Sequence, residues 1–201
     1  MIKSYSSIRN ELKTGDIVLF SGKGAFSDII KYGTLSKWSH VGMILHIPEY
    51  DFLTVWESTT LSNVKDLESD MPRKGVQLVP LSDRVQKYSG DITVRQLKGA
   101  DLPENSLRKL MELRKELRGK PYEKSKIELF KAAYDGPFGH NIEDLSSVFC
   151  SELVAEAYQR LGLLTEEKPS NEYTPGDFSE KRMKKLLGDF YLSEEITLKD
   201  E

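Results

Sequence analysis

The stretch SSVFCSELVAEAYQRLG, residues 146–162, decides the fold class because it predicts one helix and carries the only cysteine of the chain. Apolar residues recur in it at helical spacing, and Gly162 provides a stop signal. We expect this apolar stripe to bury the helix against a sheet, with Cys150 near the helix N-terminus. The stripe consists of Phe149, Leu153, Val154, Ala157, Tyr158 and Leu161.

The rest of the chain divides into a strand-rich first half and a helical second half. Short runs rich in Val, Leu and Ile predict strands at 16–21, 40–47, 52–58, 75–80 and 91–97, with a short helix at 25–32 between the first two. Helical spacing also predicts helices at 107–117 and 127–133, a loop at 135–145 and a frayed tail after Ser193. Strands followed by helices indicate an α+β domain with a mainly antiparallel sheet packed against helices.

Length and charge restrict the function classes. A chain of 201 residues fits a single domain over 1–201. The formal net charge of −3 argues against a broad nucleic-acid-binding surface, so we expect no nucleic-acid partner. The sequence has no apolar run of the roughly 20 residues that a transmembrane helix needs. The N-terminal MIKSYSSIRNELKTGD lacks a signal-peptide core, so we expect a cytoplasmic protein.

Cys150 has two interpretations. A lone cysteine is most often a small buried hydrophobe. Three features favour a nucleophile instead: a position near a helix start, where the dipole stabilises thiolate; a helix held on a sheet; and amides at Cys150 and Ser151 that could bind an oxyanion. A single cysteine among scattered histidines and acidic residues lacks zinc-ligand spacing, so we expect neither metal nor cofactor.

A thiol nucleophile needs a base, and the chain has three histidines. His46 lies near a strand end, and His140 falls in the predicted loop and stays a reserve base. His40 begins a predicted strand in WSHVGMIL, where a rigid mounting suits a catalytic base. We therefore expect His40 to be the base.

Strand register supplies a third residue. A hairpin turn centred between Pro48 and Glu49 would pair Ile44 with Leu53, Gly42 with Val55 and His40 with Glu57. An acidic side chain there would orient the imidazole and stabilise its charged form. The alternative is that Glu57 points into solvent at the end of its strand.

The motifs together resemble a known family. GDIVLF (15–20), WSHVGMIL (38–45), VWES (55–58), GKPY (119–122) and VFCSELVAEAYQRLG (148–162) resemble the permuted NlpC-type branch of the papain-like superfamily. YiiX-like bacterial proteins belong there, and lecithin retinol acyltransferase-like proteins are relatives. The resemblance runs from about Leu12 to Pro175, the expected core.

The resemblance implies a circularly permuted papain-like fold in which His40 precedes Cys150 along the chain. It carries the nucleophile onto Cys150, the base onto His40 and the polar third residue onto Glu57. Family members cleave amide bonds, often in cell-wall peptides, or transfer lipid acyl groups. Glu57 departs from the histidine that many non-permuted members use as third residue.

The resulting hypothesis is a cysteine hydrolase or acyltransferase that acts on amide or ester bonds through an acyl-enzyme. Its substrate would be a peptide or a lipid-acyl group. Trp38 either walls the cleft or packs as a core or rim aromatic. The alternative from another class is a binding module on the same fold that does no chemistry. The sequence leaves the substrate and the oligomeric state open.

Overall fold

The structure is a computed structural model that describes residues 1–23, 25–120 and 146–199. The predicted helix at 127–133, the predicted loop at 135–145 and His140 lie outside the described residues. The other predicted elements all fall within them. Within these ranges no helix combines the length and apolar character required to cross a bilayer.

The described residues form eleven strands and five α-helices, together with short 3-10 turns. The strands are β1 Ile2–Ser4, β2 Ile17–Gly22, β3 His40–Ile47, β4 Phe52–Thr59, β5 Lys65–Asp66, β6 Met71–Pro72, β7 Gly75–Pro80, β8 Gly90–Arg95, β9 Leu97–Lys98, β10 Tyr191–Leu192 and β11 Ile196–Lys199. The helices are α1 Tyr5–Ile8, α2 Ala25–Gly33, α3 Leu81–Lys87, α4 Glu104–Leu117 and α5 Ser146–Arg160.

Seven strands make one sheet in the order β1-β11-β8-β2-β3-β4-β7. Every neighbouring pair in it is antiparallel except β1 and β11, which run parallel. Helix α5 packs against β3 and β4, and α3 packs against β4 and β7. The prediction of an α+β fold with a mainly antiparallel sheet, and with Cys150 near the start of a helix, is confirmed.

Each face of the sheet has its own hydrophobic core, because alternate residues of a strand point to opposite sides. One core joins the sheet to α4 and α5, and it includes Val41, Met43, Leu45, Trp56 and Cys150. The other core joins the sheet to α1 and α3, and it includes Val18, Phe20, Ile44, Val55 and Val85. The sheet therefore has a cysteine-bearing layer on one side and the α3 layer on the other.

Two regions differ from the sequence predictions. Residues 194–199, in the tail that was expected to fray, are ordered into the sheet: β11 lies between β1 and β8, and its Ile196 and Leu198 are buried. Apolar residues at alternate positions explain this, since they give the tail one face to bury. The predicted strand 91–97 divides at Gln96 into β8 and β9, which belong to different sheets.

The predicted register of the β3–β4 hairpin is wrong by two residues. Ile44 pairs with Val55, where the prediction paired Ile44 with Leu53. The cause is the turn, which uses four residues: Pro48–Tyr50 form a 3-10 turn, and Asp51 follows in the left-handed region at φ 45°. Because the error is an even number of residues, every side chain keeps its predicted face.

Gly15 and Asp16 link the start of β2 to β9 and to α5 from buried positions. The Asp16 carboxyl accepts hydrogen bonds from the amides of Lys13 (2.9 Å) and Leu97 (2.7 Å). The neighbouring Gly15 carbonyl accepts a hydrogen bond from the Tyr158 hydroxyl of α5 at 2.7 Å. Burial raises the pKa of Asp16 to about 7, although the two amides oppose the shift.

The raised pKa of Asp16 predicts a pH-dependent contribution to stability. The folded state binds this proton more tightly than the unfolded chain, so the contribution is complete below about pH 4 and is lost as the pH rises to about 7. The loss amounts to about 1.4 kcal/mol per pH unit inside the window. In Asp16→Asn, which cannot ionise, the stability deficit relative to the parent should shrink from pH 5 to pH 7.

Urea unfolding at each pH measures this deficit. Asp66→Asn is the matched control, because Asp66 is also buried and also accepts two backbone amides, from Ser69 and Leu78. The free energy of unfolding that Asp66→Asn loses measures the cost of removing one acceptor from two backbone amides, which both substitutions share. A deficit for Asp16→Asn that stays constant or grows from pH 5 to pH 7 would contradict the assignment.

Candidate active site

Glu57 lies on β4 and is fully buried. Its Oε2 atom is 2.7 Å from Nε2 of His40, and its Oε1 atom accepts hydrogen bonds from Arg84 and from Gln77 Nε2 (3.0 Å). Burial opposes ionisation, but the Arg84 charge and the His40 hydrogen bond lower the pKa of Glu57 to about 2. The alternative in which Glu57 points into solvent is therefore wrong.

His40 is the first residue of β3 and is 5% exposed. Its ring lies against Phe20 with a centroid separation of 5.1 Å. Nε2 faces Glu57, whereas the buried Nδ1 has no hydrogen-bond partner of ordinary geometry among the described residues. Nδ1 is thus the ring atom available to Cys150.

Cys150 interacts with His40 from the N-terminal part of α5. Burial by itself lowers the pKa of His40, but the charge and hydrogen bond of Cys150, followed by those of Glu57, outweigh burial and raise it to about 10. Cys150 is buried, and α5 begins one turn earlier at Ser146. The structure therefore brings together Cys150, His40 and Glu57 from α5, β3 and β4.

Gly42 explains how His40 reaches Glu57 despite the corrected register. The observed pairing, continued by one residue, places Glu57 opposite Gly42 and makes His40 its diagonal neighbour on the same face. A Cβ atom at Gly42 would lie 2.7 Å from Val55 Cγ2 and 3.3 Å from Glu57 Cβ. The missing side chain leaves the space that the imidazole–carboxylate contact needs.

Ser151 and Trp38 lie beside this group with their polar atoms engaged. The Ser151 hydroxyl donates to the Tyr173 carbonyl, so its side chain is already committed, and an oxyanion role for its amide stays a prediction. Trp38 is 1% exposed and packs in the cysteine-side core. Its indole Nε1 donates to Glu195 at 3.1 Å.

Trp38 also lines a cavity of about 690 Å³ between residues 35–38 and the C-terminal segment. Polar and charged side chains make up most of the lining. Besides Trp38, it comprises Leu35, Ser36, Lys37, Arg95, Ser179, Glu180, Lys181, Arg182, Lys184, Leu192, Glu194 and Glu195.

The sequence analysis missed Arg84 and Gln77. Gln77 is paired with Glu57 across β7 and β4, which only the strand order reveals. Arg84 is fully buried on α3, and a signal for it was present: Leu81, Arg84 and Val85 fall on one helical face. An arginine on an apolar face needs a buried acidic partner.

The remaining ionisable side chains do not add a metal centre within the described ranges. No group of three or more His, Cys, Asp or Glu side chains there is arranged to hold a metal ion. His46 makes a separate pair with Asp51 at 3.2 Å, at the exposed end of the same hairpin.

The sequence pattern of one protein family, described as permuted papain-like amidase enzymes, YaeF/YiiX, C92 family, matches residues 11–172. The chain belongs to this C92 family. The permuted, YiiX-like papain-like assignment made from the motifs is confirmed, and membership of an amidase family supports a cysteine-hydrolase function.

Two further proteins are similar to this member of the C92 family. Uncharacterized protein R372 of Acanthamoeba polyphaga mimivirus is 34% identical over 101 residues, which is 45% of this chain and 40% of the viral protein. The chain thus matches less than half the length of that relative. The crystal structure of metalloprotein yiiX from Escherichia coli O157:H7 has 21% identity and a TM-score of 0.48, covering 94% of this chain and 97% of the other.

The space at Gly42 yields a prediction. Gly42→Ala should destabilise the fold by about 1–3 kcal/mol, because the new methyl group overlaps Val55. It should also slow alkylation of Cys150, since Glu57 must shift away from His40. Urea unfolding and the iodoacetamide rate measure the two effects.

Val55→Ala removes the overlapping methyl group and serves as the partner variant. In a double-mutant cycle, Gly42→Ala should cost about 1 kcal/mol less in the Val55→Ala background than in the parent. If the two losses in the free energy of unfolding were strictly additive, overlap with the Val55 methyl group would not be the cause of the Gly42→Ala destabilisation.

Proposed function

We propose that the chain is a cysteine amidase that cleaves peptide amide bonds through an acyl-enzyme. Cys150 is the nucleophile, His40 is the base and Glu57 orients the imidazole. The observation that carries the proposal is the continuous line of interactions from Cys150 through His40 to Glu57. Family membership supports the same class of chemistry.

The first half-reaction starts from a Cys150 thiolate paired with a His40 imidazolium. Sulfur forms a bond to the substrate carbonyl carbon, and the carbonyl electron pair moves onto oxygen. When the tetrahedral intermediate collapses, the C–N bond breaks and the leaving amine takes the His40 proton. The products are a thioester on Cys150 and a free amine.

The second half-reaction returns the enzyme to its starting state. His40 accepts a proton from water, whose oxygen attacks the thioester carbonyl. The C–S bond then breaks, which releases a carboxylic acid and regenerates the thiolate–imidazolium pair. An acceptor other than water would make the same enzyme an acyltransferase.

Glu57 acts through its contact with Nε2. A buried carboxylate there fixes the ring and stabilises its protonated form, which leaves Nδ1 for the interaction with Cys150. In this proposal Nε2 of His40 binds Glu57, and Nδ1 exchanges the proton with Cys150 and the substrate.

Family membership favours a peptide over a lipid. The matching family is described as amidases, and an amidase cleaves an amide bond where a lipid substrate would offer an ester. We therefore place peptide amides first and lipid-acyl substrates second.

The assignment of the base is tested by the alkylation rate of Cys150, which iodoacetamide reports directly because the chain has one cysteine. His40→Gln should lower the rate at pH 6 by about 10²-fold, since the thiolate loses its cationic partner. His46→Gln should leave the rate unchanged and is the matched control, because His46 lies on the same strand and is also paired with a carboxylate.

His140→Gln forms the third arm of that experiment. A loss of rate with His140→Gln, together with a normal rate for His40→Gln, would transfer the base role to His140. Alkylation rates equal to that of the parent in all three variants would favour a binding module over an enzyme.

The nature of the substrate is tested by intact-protein mass spectrometry. Incubation with short peptide p-nitroanilides should add the acyl mass to the parent, release p-nitroaniline and leave Cys150→Ser unmodified. Phosphatidylcholine vesicles should yield no adduct. An adduct of fatty-acyl mass in place of a peptide adduct would reverse the order of the two substrate classes.

A further inference from the structure

Glu57 meets two different groups through its two oxygen atoms. Oε2 faces the imidazole of His40, whereas Oε1 accepts from the Arg84 guanidinium through Nε (2.8 Å) and Nη2, and from Gln77. The side chains of Arg84 and Glu57 are both 0% exposed. The carboxylate is thereby fixed at one oxygen and presented to His40 with the other.

Arg84 is itself held from two directions. Its Nη1 donates to Asn63 Oδ1 at 2.8 Å, and Asn63 Nδ2 donates to the Lys87 carbonyl at the end of α3 at 3.1 Å. Leu81 and Val85 bury the same face of α3 in the core. The guanidinium is therefore in place before any substrate arrives.

The proton cycle of His40 gives this contact a function. Among the described residues, the charged side chains bonded to Glu57 are His40 from β3 and Arg84 from α3, and His40 interacts in turn with Cys150 from α5. Each time His40 passes its proton to a leaving amine, Glu57 loses one of its two cationic partners. A buried carboxylate with no cation would take up a proton itself, and only Arg84 keeps its charge throughout.

We propose that Arg84 is a positioning residue: it keeps the Glu57 carboxylate ionised and fixed while the imidazole of His40 gives up and regains its proton. The proposal rests on the proposed function for its role in catalysis. Its physical content, the dependence of His40 on Arg84 through Glu57, is measurable without turnover.

Two opposite results are possible when Arg84 is neutralised. If Arg84 keeps Glu57 ionised, then Arg84→Gln makes Glu57 neutral, and His40 loses the anion that stabilises its charged form. If Arg84 is only a neighbouring charge, Glu57 stays ionised, and removal of the guanidinium makes His40 easier to protonate. The direction in which the His40 titration moves therefore decides between a positioning role and a structural ion pair.

The experiment is an NMR titration of the histidine rings in a Cys150→Ser background, which removes the sulfur from the coupled system. Arg84→Gln should lower the His40 midpoint by about 1 pH unit or more, to the value found in Glu57→Gln. Arg84→Lys, which retains the charge, should stay near the parent. In a Glu57→Gln background, Arg84→Gln should not lower the midpoint further.

Arg114→Gln is the matched control. Arg114 forms a partly buried ion pair with Glu68 at 2.7 Å, apart from the hydrogen bonds of Glu57. Its loss should leave the His40 midpoint unchanged. A rise of the midpoint in Arg84→Gln, or a fall in Arg84→Lys as large as in Glu57→Gln, would overturn the proposal.

A second measurement leaves Arg84 intact and so avoids variants that fail to fold. In His40→Gln the side chain facing Glu57 is permanently uncharged, which imitates the deprotonated imidazole. The ¹³Cδ shift of Glu57 should remain that of a carboxylate down to about pH 5 if Arg84 suffices. Protonation of Glu57 near neutral pH would refute the proposal, whatever the alkylation experiments show about Cys150.

Discussion

A negative charge on Glu57 in a fully buried position is the constraint on which the candidate site depends. A lone carboxylate cannot remain ionised there, so the surrounding structure has to supply partners. It supplies them from three directions: His40 from β3, Gln77 from β7 and Arg84 from α3. The carboxylate of Glu57 therefore stays ionised only if β3 and β7 flank β4 and α3 packs over them.

The two faces of the sheet contribute different halves of the site. Helix α5 packs on one face and carries Cys150, whereas α3 packs on the other and carries Arg84. His40 stands at the end of β3 and interacts with groups from both layers. Repacking of the core around α5 would therefore affect His40 by moving the sulfur of Cys150. Repacking of the core around α3 would affect His40 by moving the carboxylate of Glu57.

The sequence predicted the cysteine helix and most strands, because hydrophobic periodicity and face alternation are local signals. The meeting of Cys150 with His40 was instead expected from the family resemblance and from the need of a thiol nucleophile for a base. It misjudged the hairpin register, since a left-handed Asp51 in the turn is not visible in the pattern. The contact between His40 and Glu57 survived that error only because parity was preserved and Gly42 left room. Gln77 and the pairing of β11 depend on the strand order, which a single sequence does not contain.

Helix α3 shows a different kind of omission. Its seven residues are too few for a convincing periodic pattern, and Arg84 interrupts the apolar face. The same interruption becomes informative once Glu57 is known to be buried, since each charge explains the other. A search of the sequence for oppositely charged residues that both interrupt apolar faces would have paired Arg84 of α3 with Glu57 of β4.

The parallel pairing of β1 with β11 brings the two ends of the described chain side by side: Ile2 lies opposite Thr197, and Ser4 lies opposite Lys199. Met1 and Lys199 are separated by about 10 Å along a strand edge, the length of three residues, a gap that a short peptide linker would bridge. Closed in this way, residues 1–199 would form a ring, and the order in which base and nucleophile are synthesised would depend only on where the ring is opened. A protein engineer could therefore restore the cysteine-first order of non-permuted relatives by moving the termini, without altering a single side chain of the site.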